Sequence, residues 1–155
     1  MSKRDTYVIV TVETDKIGPK NINNYVVLSD NRGGGPTPGN PINFVSKVDR
    51  GKKITWIGIP KNASVGGDDQ TVDIKQIEMK KPNSSILEKT RYNDKGDNGV
   101  VVGKVKYPRL VVEELQVVPN NLEREGYYIT ILVNGTDWYT MDPQLEMAPW
   151  SVLTK

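Results

Sequence analysis

Neither cysteine nor histidine occurs among the 155 residues, and these two absences exclude more than any residue present. Without a thiolate or an imidazole the chain has no cysteine nucleophile, no histidine general base, and no zinc or copper centre of N and S ligands. No disulfide can staple the fold. A chain of 155 residues buries a sufficient core unaided, so one domain over residues 1–155 is expected. No apolar run approaches the ~20 residues of a membrane helix. The stretch from Tyr7 to Val12 is interrupted by Thr11 and runs into Glu13 and Asp15, unlike a secretory leader. A soluble protein with no membrane partner is the expectation. The 21 Lys and Arg residues are interspersed with 19 Asp and Glu residues. With no long basic run to track a phosphate backbone, no nucleic-acid partner is expected.

What is present is a succession of Val, Ile, Thr and Tyr runs punctuated by Gly, Pro, Asn and Asp, the pattern of an all-β fold. Tyr7 to Thr14 carries Val8, Val10 and Val12 on one face and Tyr7, Ile9 and Thr11 on the other, which predicts a central strand. Tyr25 to Ser29 reads as a second strand, and the Gly- and Pro-rich stretch from Asp30 to Pro41 as a long loop. Ile42 to Val48 and Ile54 to Ile59 read as a hairpin around Asp49-Arg50-Gly51-Lys52, with Trp56 plugging the core. The parity of apolar residues shifts inside Thr71 to Met79, from Val72 and Ile74 to Ile77 and Met79, which predicts a β-bulge near Lys75 and Gln76. Ser84 to Tyr92 is the one short helical turn expected, with Ser84 or Ser85 as its N-cap. Strands follow at Val100 to Tyr107, Leu110 to Val118 and Tyr127 to Asn134, and Asn134-Gly135 turns the chain back into Trp138, Tyr139 and Met141. Asp142-Pro143 ends that strand, and Leu145 to Met147 adds a last short piece. The expectation is a two-sheet antiparallel β-sandwich, Greek-key and cupredoxin-like or immunoglobulin-like, with at most one short helix.

Three groups of residues carry candidate chemistry. Asn134, Asp137, Trp138 and Tyr139 cluster at a hairpin tip, where an aromatic ring flanked by hydrogen-bonding side chains can grip a sugar; the bland reading closes the end of the sandwich with Trp138. Asp68 and Asp69 after Gly66-Gly67, and Asp94 and Asp97 in YNDKGDNG, offer oxygen ligands for calcium, although the spacing is not that of an EF-hand. Such Asx- and Gly-rich segments ordinarily build solvated turns, so no cofactor is expected, with calcium the one candidate ion. Glu113 and Glu114 are adjacent on a strand, point to opposite faces, and cannot act as a pair on one substrate. Carboxylates for glycoside hydrolysis would have to meet across a cleft from distant loops. Trp150 and the open edge strands offer routes to self-association, either as an anchor or by strand pairing.

The opening strand YVIVTVETD, the segment GKKITW and the closing YYITILVNGTDWYTMDPQLEM together resemble the AidA/PixA type of bacterial inclusion-body protein. Glu13-Thr14-Asp15, Gly51 to Trp56 and Tyr139 to Pro143 hold the matching places, with Lys52 where the family pattern is acidic and Met141 where it is aromatic. The resemblance implies a β-sandwich that accumulates in a bacterial cytoplasm and acts by self-assembly into a homo-oligomer, by glycan binding, or by both. A looser similarity is to cupredoxin-like sandwiches, but the absence of His and Cys leaves no copper site of their kind. The expected function is therefore non-enzymatic, namely self-association and glycan binding. The alternative is a carboxylate-dependent enzyme acting on carbohydrate through Asp68, Asp69, Asp94 and Asp97.

Overall fold

A computed structural model describes residues 3–61, 70–96, 99–107, 110–112, 115–117 and 123–147. Two sheets pack face to face, and strands make up nearly all of the regular structure. The first sheet comprises β1 (Thr6–Val12), β2 (Val26–Asp30), β4 (Lys53–Pro60) and β7 (Val101–Lys104), in the order β2-β1-β4-β7. The second contains β3 (Val45–Val48), β5 (Val72–Met79), β6 (Arg91–Asn93), β10 (Glu123–Val133) and β12 (Gln144–Met147), in the order β3-β12-β10-β5-β6. β11 (Asp137–Met141) also pairs with β10, beyond the stretch that β12 occupies, so β11 and β12 form one line interrupted at Asp142-Pro143. Pairing is antiparallel except between β1 and β4 and between β12 and β3, which run parallel.

The alternation that predicted the strands also builds the core. Val8, Val10 and Val12 from β1, Ile54 and Trp56 from β4, Ile74 and Ile77 from β5, and Tyr127, Ile129 and Ile131 from β10 meet between the sheets with no solvent exposure. Each fully buried aliphatic side chain contributes about 1.5–3 kcal/mol of transfer free energy. Trp56 plugs the centre as expected, and its indole Nε1–H donates to the Tyr127 hydroxyl at 3.1 Å, so neither buried polar atom is stranded. Burial raises the Tyr127 phenol above the ordinary tyrosine range because the phenolate would lie in an apolar interior. β1 is central, as predicted, although its second face is partly exposed, with Tyr7 at 43%.

Three local expectations are corrected. The segments on either side of Asp49-Arg50-Gly51-Lys52 are not a hairpin: β3 belongs to the second sheet and β4 to the first, so the chain arches across the core. Sheets stand ~10 Å apart, a gap that a few extended residues span. Gly51 does take a positive φ of 74°, but its N–H faces the carbonyls of Val105 and Lys106, not a partner across a hairpin. Residues 84–90 form no helical turn. Ser84 Oγ accepts from the N–H groups of Ile86 and Leu87 in the manner of a cap, yet Leu87 pairs with Val105 in an extended bridge and the chain continues into β6. Instead the short helix is α1 (Ile22–Tyr25). Leu110 to Val118 is not one strand: β8 (Leu110–Val112) and β9 (Leu115–Val117) pair antiparallel, with Leu110 opposite Val117.

The predicted bulge is present. Ile74 faces Ile131 and Gln76 faces Thr130, which leaves Lys75 as the extra residue. The insertion lets Ile74 and Ile77 share the inner face despite their odd spacing. Among the described residues no helix is long and apolar enough to cross a membrane.

Candidate binding face on the second sheet

The outward face of the second sheet is built by register. Thr140 on β11, Thr130 on β10, Gln76 on β5 and Asn93 on β6 lie opposite one another in turn, giving one polar row across four strands. Hydrogen bonds run along it: the Thr130 and Thr140 hydroxyls are 3.3 Å apart, and Gln76 Nε2 donates to Asn93 Oδ1 at 3.0 Å. Trp138 stands two residues from Thr140 on the same face and is 60% exposed. Together with Lys75, Asn93, Asp94 and Thr130 it lines a shallow groove of about 510 Å³.

One end of this groove is held by a loop. The Asp94 carboxylate is almost buried and accepts from Lys75 Nζ at 3.0 Å and from the Gly96 N–H at 3.0 Å, while the Asp94 N–H donates to the Lys75 carbonyl. An ammonium thus neutralises the carboxylate in the way that a bound cation would, and Gly96 at φ 86° closes the Asx turn. Among the described residues no group of three or more His, Cys, Asp or Glu side chains converges to hold a metal. Asp68, Asp69 and Asp97, the other proposed calcium ligands, lie outside the described residues, as do Glu113, Glu114 and Trp150.

The four residues of the expected hairpin tip share one turn, with Asp137 exposed opposite Val133, but their side chains do not converge. Asn134 and Gly135 do form the turn, with φ of 53° and 72°. Asn134 spends its side chain on structure: Oδ1 accepts from the Thr71 N–H at 2.9 Å and Nδ2 donates to Gln70 at 3.3 Å. Tyr139 alternates with Trp138 and points inward, 8% exposed, its hydroxyl donating to the Ile17 carbonyl at 3.3 Å. Burial and the neighbouring Asp137 carboxylate both push its phenol up. Trp138 is thus separated from Tyr139 and joined to Thr130, Gln76, Asn93 and Lys75, which lie far away in sequence. Only the parity shift at Lys75 and Gln76 was a local signal, announcing where the outer face gains an extra side chain; Thr130 and Asn93 join through register with other strands.

What the groove offers is one exposed indole, a row of hydroxyl and amide groups, and one neutralised ammonium–carboxylate pair. It offers binding chemistry. The class of protein so defined is an all-β sandwich with an aromatic-flanked polar groove on one sheet. No protein-family model matches the chain, and a search of the curated proteins finds no match.

Proposed function

We propose that the protein is a non-enzymatic glycan-binding module whose ligand lies on the outward face of the second sheet, stacked on Trp138. The observation that carries this reading is the 60% exposure of Trp138 beside hydroxyl and amide side chains held in a row by pairing. An aliphatic sugar face stacks on an indole, and its hydroxyls exchange hydrogen bonds with such side chains. The rigid sheet supports this by fixing the donors before the ligand arrives, which lowers the ordering cost of binding. The resemblance to AidA/PixA-type inclusion-body proteins agrees with this reading and adds a bacterial cytoplasmic setting.

Self-association is the second part of the proposal. It is favoured by the outward face of the first sheet, where Tyr7, Val27, Ile59 and Val102 are each at least 40% exposed. A homo-oligomer would present several Trp138 grooves at once and raise avidity without new contacts.

The test is a glycan array probed with the parent and with Trp138→Ala, together with light scattering. Selective retention that disappears in Trp138→Ala, at unchanged thermal stability, is the expected result. Retention that survives the substitution would remove the groove from the function. Glycoside turnover lost on replacing an acidic residue would replace the binding reading with the enzymatic one.

A further inference from the structure

A second groove, of about 670 Å³, lies on the other side of β6, between that strand and β7 at the open flank where the two sheets end. Five cations line it, Lys53, Lys89, Arg91, Lys95 and Lys104, against the single carboxylate of Glu88. The whole chain carries a net charge of only +2, so this flank concentrates positive charge and the remaining surface is net negative. Lys53 and Lys104 are direct cross-strand partners. Like charges in that position oppose sheet pairing, and an anion between them removes the conflict. Arg91 is engaged by Glu78 at 2.7 Å, whereas the ammonium groups of Lys53, Lys95 and Lys104 have no ion pair among the described residues.

The walls of the groove are fixed. The Tyr92 hydroxyl accepts from the N–H of Lys89 at 3.0 Å and exchanges hydrogen bonds with the backbone of Lys104 at 3.3 Å. Glu88 N–H also donates to the Lys104 carbonyl at 2.9 Å. Asn93 lines both this groove and the one beside Trp138, so the two flank β6 on either side and a chain of several sugar units can reach both.

We infer that the ligand is an acidic polysaccharide, whose carboxylates or sulfates run along the cationic groove while a sugar ring rests on Trp138. This rests on the glycan reading above and names its class. Single-stranded nucleic acid fits less well, because such sites stack successive bases on several exposed rings, whereas Trp138 is the one exposed ring among the described residues that line either groove. The aromatic residue in this groove, Tyr92, is 9% exposed with its hydroxyl engaged.

The test is calorimetric binding of polygalacturonate by the full chain at about 0.05 M and about 0.3 M salt, with a neutral glucan and an oligothymidylate as comparisons. The variants are Lys53→Gln/Lys104→Gln, Lys89→Gln/Lys95→Gln, and Lys16→Gln/Lys20→Gln as a distant control. Binding should be saturable, weaken about tenfold or more in either groove pair and at the higher salt, and stay unchanged in the control pair. No polygalacturonate binding, equal binding by the groove variants, or tighter binding of oligothymidylate would each overturn the inference. If both groove pairs lose polygalacturonate while Trp138→Ala keeps every glycan, the cationic groove stands and the Trp138 reading falls. If Trp138→Ala loses neutral glycans and the lysine pairs change nothing, the reverse holds.

Discussion

The two outward faces of this sandwich rest on one core and differ in almost every other respect. On the first sheet, registered neighbours such as Ile9 and Ile57, Thr11 and Ile59, and Thr55 and Val102 present β-branched and uncharged side chains, with the Lys53 and Lys104 pair confined to one end of that face. On the second, Glu78 and Arg91, Gln76 and Asn93, and Lys75 and Asp94 present paired polar and charged groups around Trp138. A row of exposed hydroxyl and amide groups with spare hydrogen-bonding capacity suits a hydrated ligand, while a mostly apolar face loses least on desolvation by another surface like itself. The difference teaches that a single alternating pattern, read as inside against outside, leaves two distinct outsides whose chemistry must be compared separately.

The strongest way to break the comparison is to push the sheets apart, since both faces depend on their separation. A Cβ at Gly58 on β4 would collide with the Val72 carbonyl oxygen on β5, and backbone cannot yield as a flexible side chain does. Gly58→Ala is expected to cost about 3 kcal/mol, read as a lowered urea midpoint, with glycan binding and self-association lost together. A face that kept its activity would show that it does not need the sandwich.

Next in size is the buried polar pair beneath both faces. Tyr127→Phe leaves the Trp56 N–H without its partner in the core and should cost about 1–3 kcal/mol in equilibrium unfolding, with Trp138-dependent binding retained by the folded fraction. The same tyrosine predicts a pH effect. Its folded pKa is raised above the unfolded value of 10.0, so the stability it contributes is fully present below pH 10 and is lost as pH rises further. The urea midpoint should fall above pH 10 in the parent and fall less steeply in Tyr127→Phe; parallel curves would assign the alkaline loss to other groups.

The smallest effect on stability, and the one that separates the faces most cleanly, comes from Ile59→Lys. Ile59 is 40% exposed, so folding should change by less than about 0.5 kcal/mol, while light scattering should show a shift toward monomer with monovalent glycan binding intact. An unchanged assembly would remove this face from the self-contact.

Most of the strands, the central β1, the Trp56 plug and the Lys75 bulge were legible in the sequence, because each is written in the parity of apolar residues along a short stretch. The apparent hairpin at Asp49 to Lys52 was not, because a tight glycine turn serves equally a hairpin or an arch, and only the pairing partners of β3 and β4 decide which. Ser84 shows the same limit: its side chain caps two N–H groups, yet the segment is extended because Leu87 finds Val105, and a capping signal has no access to that distant partner. Trp138 was visible as a candidate, but the side chains that share its face were not. Tyr139 is its neighbour in sequence and turns the other way, while Thr130, Gln76 and Asn93 reach it through three strand pairings. The absence of Cys and His, and hence the exclusion of thiol, imidazole and N/S-metal chemistry, was fixed by composition alone, since no folding supplies a missing side chain. Which polar groups stand beside the indole, and which lysines face one another across β4 and β7, was decided only by the tertiary structure, because register is set by partners that local sequence does not name.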